Sequence, residues 1–230
     1  MRAIPIALLL IVGTAALPAS AMGLRAFVAL PLEQGGSVVR PLLEHDRDAD
    51  TTQLTTEFAY GLSATQTLMF ALPYRIAGGS GQRAGDPMAF YRHQLWSADT
   101  NVGTARWSLL GGAVLDHDGH ARAQLGTIAT WFRERHEIDA DLVAVGRGNG
   151  NPASARYDLS WQYRLNPGER AWWMSVLELG GRRHKGSNMT QQLTVGLQHI
   201  DGPWVIEGGV VHDLNNRHDT SVLLGMRHHF

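Results

Sequence analysis

The chain has 230 residues, with 20 Lys and Arg against 21 Asp and Glu, a formal charge of −1, 26 glycines and no cysteine. A near-neutral chain without a basic run is a poor partner for nucleic acid, whose phosphate backbone is tracked by concentrated positive charge. Without cysteine there is no disulfide framework, so stability must come from a core or from a closed hydrogen-bonded sheet.

At the N-terminus, Arg2 supplies a short positive region, Ile4 to Ala16 is almost wholly apolar, and Ala19-Ser20-Ala21 fits a small-residue cleavage site. We read residues 1–21 as a signal peptide, with a mature chain starting at Met22. The apolar run is shorter than the roughly 20 residues of a spanning helix, and Pro5 and Pro18 interrupt its flanks. Residues 22–35 form a lead segment. If Gly23 to Leu30 were a strand, parity would require another strand to be lost. No later stretch approaches 18 uninterrupted apolar residues, which leaves strands as the only means of crossing a membrane.

From Gly36 onward the chain breaks into segments of about ten residues separated by turn formers, the signature of an antiparallel transmembrane β-barrel. Twelve are read, within a range of ten to fourteen: Gly36–Glu44, Thr51–Gly61, Ala64–Tyr74, Met88–Ser97, Val102–Leu115, Ala121–Arg133, Glu137–Arg147, Ala153–Leu165, Glu169–Gly181, Asn188–His199, Gly202–Asp213 and Thr220–Phe230. The clearest alternation sets Ala155, Tyr157, Leu159, Trp161 and Tyr163 against Arg156, Asp158, Ser160, Gln162 and Arg164. In other segments the faces blur: the phase of Met88–Ser97 is ambiguous, and adjacent Trp172 and Trp173 cannot both face outward. Tyr60, Tyr74, Trp96, Trp131, Tyr163 and Trp204 fall near strand ends, as aromatic girdles do at membrane interfaces. With an even strand number the short connections lie on the periplasmic side and the long Gly-rich stretch from Arg75 to Pro87 lies outside.

The last segment places Val222, Leu224, Met226, His228 and Phe230 on one face and ends on the aromatic that outer-membrane assembly machinery reads. The expected location is therefore the cell outer membrane, with its lipid and that machinery as partners.

With these phases the lumen collects Glu57, Arg92, Arg106, Asp139, Asp141, Arg156, Asp158, Arg164, Glu178, Glu207 and Arg227. Two readings follow. The charges line a permeation path for a small hydrophilic or amphiphilic solute, or they satisfy one another and seal a structural or adhesive barrel. His117 and His120, within Asp116-His117-Asp118-Gly119-His120, are the candidate metal ligands, although their spacing matches no dedicated site. No cofactor is expected. A lipid hydrolase would need a Ser and a His that meet, and the nearest pairing, His184 and Ser187, is three residues apart in an expected loop. No residue is assigned a catalytic role.

Several short stretches add a resemblance: Glu57-Phe58-Ala59-Tyr60-Gly61-Leu62-Ser63, Leu72-Pro73-Tyr74, Gly85-Asp86-Pro87 before Tyr91-Arg92, Leu177-Glu178-Leu179, Trp204 to Val210, and Leu224-Gly225-Met226-Arg227 before Phe230. Together they resemble the outer-membrane group named for the MetA pathway of phenol degradation. The resemblance implies a barrel with a transport role and an unassigned solute. After Leu115 that group usually carries a Pro-containing turn, and here Asp116 to His120 stands instead.

Overall fold

A computed structural model of the chain describes residues 23–148, 150–215 and 219–230. The expected signal peptide lies outside the described residues. The described residues form twelve strands: β1 Ser37–Asp46, β2 Thr51–Ser63, β3 Gln66–Ala77, β4 Met88–Thr100, β5 Gly103–Leu115, β6 Ala121–Arg133, β7 His136–Val145, β8 Ser154–Arg164, β9 Ala171–His184, β10 Thr190–Asp201, β11 Trp204–Asp213 and β12 Thr220–His229. Each pairs antiparallel with its chain neighbours, and β1 pairs with β12, from Val38 opposite His229 to Asp46 opposite Ser221. The barrel is closed, so no strand leaves an edge of unpaired N–H and C=O groups. Phe230 adds to the seam, its N–H donating to the Ser37 carbonyl at 2.9 Å.

Alternation decides which way each side chain points, because successive residues of a strand face opposite sides of the sheet. Outward are Leu54, Phe58 and Tyr60 of β2, Leu125 and Trp131 of β6, Leu142 of β7, Leu159 and Trp161 of β8, Val195 and Leu197 of β10, and Val222, Leu224 and Met226 of β12. In an aqueous monomer such a continuous apolar surface would drive aggregation. Around a barrel it is the lipid-facing belt.

Two expectations about phase resolve differently from a simple period of two. In β4 the pairing with β5 slips between Gln94 and Trp96. The bulge leaves Leu95 and Trp96 both exposed, at 45% and 52%, which is why this segment reads ambiguously. In β9 Trp173 faces outward, while Trp172 packs inward against Met174, Ile200 and Val205. The expected end of that strand at Gly181 falls short: β9 continues to His184, which brings Arg182 onto the inner wall opposite Arg156.

Connection lengths divide the two ends. One end carries Ala64-Thr65, Asn101-Val102, Glu134-Arg135 and Gly202-Pro203 as two-residue turns, with Leu165 to Arg170 the longest. Glu134 adopts a left-handed φ of 55° to close its turn. The other end carries the longer connections, including residues 78–87.

Residues 23–35 do not form a strand. Residues 23–32 run inside the barrel, where Leu24, Ala26, Val28 and Ala29 are buried, and residues 33–35 are exposed. The inner wall is correspondingly mixed rather than uniformly polar. Phe90, Leu110, Ile128 and Val143 pack around Ala29, and Val176, Val211 and Leu223 pack around Leu24. These inward apolar residues are what blurs the faces of β4, β5 and β11 in the sequence.

Reversing the lipid-facing character should be expensive. Leu224→Arg, at an exposed position near the middle of β12, is expected to destabilise the barrel by about 2–4 kcal/mol, read by urea unfolding in lipid vesicles.

Candidate functional site

A chain that crosses a lumen without strand partners leaves its amides and carbonyls to be satisfied by something else. Here the inward side chains of the wall do so. The Glu178 carboxylate accepts from the N–H of Arg25 at 3.1 Å and of Ala26 at 3.4 Å, and Asp141 accepts from Phe27 N–H at 2.8 Å. Thr130 Oγ1 accepts from Ala29 N–H at 2.8 Å, and Thr67 Oγ1 from Leu32 N–H at 3.1 Å. The carbonyls are met from the opposite direction: Arg40 donates to Leu24 at 2.6 Å, Arg92 to Val28 at 2.6 Å and Ser108 to Ala29 at 2.7 Å. Several of these bonds involve a charged partner, the stronger class of hydrogen bond.

Shape reinforces chemistry at one point. Gly196 and Gly209 face each other across β10 and β11, and a Cβ on either would stand 2.3 or 2.7 Å from Leu24 Cδ1. The missing side chains are the socket into which Leu24 fits.

All eleven residues expected in the lumen lie on the inner face, and the structure separates them into groups. Glu207 is held between Arg40 at 2.6 Å and Arg227 at 3.0 Å, and Arg40 reaches Glu57 at 3.0 Å. Arg227 and Glu207 are fully enclosed, so this cluster exists only because the charges meet. Asp139 accepts from Thr130 at 2.5 Å and Gln162 at 2.8 Å. Asp158 pairs with Arg156 at 2.6 Å, whose guanidinium also lies 3.9 Å from Asp141 and 4.6 Å over the Phe27 ring. Glu178, Asp141 and Arg92 hold the internal segment. Arg106 and Arg164 belong to the short-turn end, Arg106 paired with Asp99 at 2.8 Å and Arg164 stacked 3.9 Å over Trp172.

Sequence reading misses Arg25, Arg40, Glu137 and Arg182. Arg40 stands between inward Val38 and Leu42, so its face does not look polar. Arg182 could have been found by extending the parity of Glu178 by four residues. Nothing in the alternation signals Arg25, because its segment has none.

Beside the internal segment a cavity of about 540 Å³ remains, reaching from Asp86 and Arg182 on the long-loop side to Val38 and His229 near the short turns, and lined also by Arg25, Phe27, Arg156, Met69 and Met88. At the rim, Asp116 gathers three connections: Arg122 donates to it at 2.7 Å and Asn151 at 3.0 Å, while Arg122 also lies 3.4 Å from Asp86. This clasp ties the Asp116 to His120 turn to its neighbouring connections. Burial works against the Asp116 charge, but the hydrogen bonds from Asn151 and Arg122 and the Arg122 charge outweigh it, holding the carboxyl below the usual carboxylate range.

His117 and His120 are exposed in that turn. Among the described residues no group of three or more His, Cys, Asp or Glu side chains converges as a metal would require. The Ser187 hydroxyl donates to the His184 backbone carbonyl at 2.9 Å and accepts from the His184 N–H at 3.3 Å. It thus closes a turn, and neither bond is to the imidazole.

No family model matches the chain, and no curated protein does. Solved structures do. The barrel is similar to the NanC porin, with a TM-score of 0.60 at 9% identity over 83% of this chain and 98% of that one. An outer-membrane channel from Pseudomonas putida F1 is similar at 0.56 and 13%, covering 88% of this chain and 98% of that one. The KdgM porin follows at 0.52 and 10%, with 83% and 98% covered. The fold is that of the porin-like outer-membrane β-barrels.

Two outcomes are expected. Glu178→Ala should abolish deuterium-exchange protection at the Arg25 and Ala26 amides while leaving those of Phe27, Ala29 and the strands protected. The Asp116 clasp, having a depressed pKa, should be intact above the usual carboxylate range and open as the pH falls through the folded value. Faster acid proteolysis of residues 146–153, made independent of pH by Asp116→Asn, would report it.

Proposed function

We propose that the protein is an outer-membrane channel for a small hydrophilic or amphiphilic solute, with residues 23–32 as an internal constriction. The observation that carries this reading is how the segment is held. Side chains of the wall bind its amides and carbonyls one by one, whereas the wall itself is a continuous ladder. Displacing the segment therefore leaves the barrel closed and uncovers the charged residues that line it. The likeness in fold to porins and channels supports the same reading, as do the short stretches resembling the group named for the MetA pathway. In this orientation the short turns are periplasmic, the longer connections extracellular, and Phe230, 69% exposed at the barrel seam, is accessible to assembly machinery.

A second reading, a sealed structural barrel whose outer loops meet a partner, is favoured by the enclosed Arg40–Glu207–Arg227 cluster. Planar-bilayer recording separates the two. The full chain is expected to give small conductance steps, and a variant lacking residues 24–32 steps several-fold larger, with a heat-dependent gel shift showing that both barrels are formed. Silence from both folded proteins would establish the sealed reading.

A further inference from the structure

The cavity beside the internal segment has a charge balance unlike that of the lumen as a whole. Seven arginines and three carboxylates line it. Arg40 and Arg227 are already bound to Glu207, Arg92 to the Val28 carbonyl and Thr67, and Arg156 to Asp158. Arg182 differs. Among the described residues no carboxylate lies within 4 Å of it, and its Nε is enclosed without a hydrogen-bond partner. Arg156 faces it across the β8–β9 ladder, and Arg25 also repels it. The acids that oppose these charges are Glu44, 3.9 Å from Arg25, and Asp158, already held by Arg156; both attract Arg182 only from beyond ion-pair distance. Cations crowded in a confined space without matching carboxylates are costly, and an anion entering between them would relieve that repulsion.

Another part of the same cavity's lining is apolar. Phe27 meets Phe90 edge-on at 5.6 Å between ring centres, with Met69 and Met88 packed beside them. The lining therefore offers forked donors suited to a carboxylate beside aromatic and thioether surface. A volume of about 540 Å³ is ample for a small organic molecule.

We propose that this cavity binds a small organic carboxylate with an aromatic or short alkyl body, its carboxylate on Arg182 and Arg25 and its body against Phe27 and Met88. This names the solute class for the channel proposed above and rests on that reading, but binding at equilibrium can be measured without transport. The full chain, refolded in a non-ionic detergent, would be titrated calorimetrically with benzoate, benzyl alcohol and sulfate. Benzoate should bind at least about tenfold more tightly than either. Arg182→Gln should weaken benzoate about tenfold with the heat-dependent gel shift intact, and Arg182→Lys should restore part of the loss. Equal binding of benzyl alcohol, equal binding of sulfate, or an unchanged affinity in folded Arg182→Gln would each overturn the assignment. If Arg182→Gln does not fold, the three ligands on the unaltered chain decide alone. Benzoate binding to a barrel that never conducts would remove the channel reading and keep the site; conductance without binding would do the reverse.

Discussion

The structure depends on one constraint: in hydrocarbon there is no water to satisfy a backbone amide or carbonyl, so every one in the spanning region needs an internal partner. The ladder between β1 and β12 meets that requirement for the wall, because it converts a twelve-stranded sheet with two open edges into a barrel with none. Once the wall is closed, its outward side chains need only be compatible with lipid, and the inward ones are free to serve other ends.

The same constraint governs the interior. Residues 23–32 lie where neither bulk water nor a strand partner is at hand, and the wall contributes Glu178, Asp141, Thr130, Thr67, Arg40, Arg92 and Ser108 as individual partners. Acids and bases that read in sequence as a lining for solutes thereby acquire a second task. Glu178 and Asp141 are stabilised by the amides they accept from, and the amides of Arg25, Ala26 and Phe27 by those carboxylates. The apolar side chains follow the same logic: the Gly196 and Gly209 pair makes room for Leu24, and Phe90, Leu110 and Ile128 surround Ala29.

What this leaves is an asymmetric lumen. Beside β9, β10 and β11 the short-turn end is filled by packed clusters such as Met174, Ile200 and Val205. Alongside the segment a cavity persists, its lining combining guanidinium groups with aromatic and methionine side chains. The Asp116 clasp ties together the connections that frame this opening, so the rim is organised by the loop sequence.

Much of the wall was legible because a strand writes its two environments into alternate residues. Tyr157, Leu159 and Trp161 against Asp158, Ser160 and Gln162 need no tertiary information to be sorted, and the same rule grouped the eleven charged lumen candidates on one face of their strands. It failed where a residue was added or an inner environment was apolar. The bulge at Gln94 to Trp96 shifts the phase of β4, and Leu110 or Val205 looks lipid-facing until something apolar is found inside. The sequence alone therefore determined the strand number, the antiparallel order and the outward face, which follow from local periodicity and turn chemistry. Only the tertiary structure decided that the lead segment lies within the barrel, which charges hold it, and that Arg25 and Arg182 meet at a cavity. The contacts of Glu178 with Arg25 and of Asp141 with Phe27 join residues more than a hundred positions apart, and no local pattern encodes such a meeting.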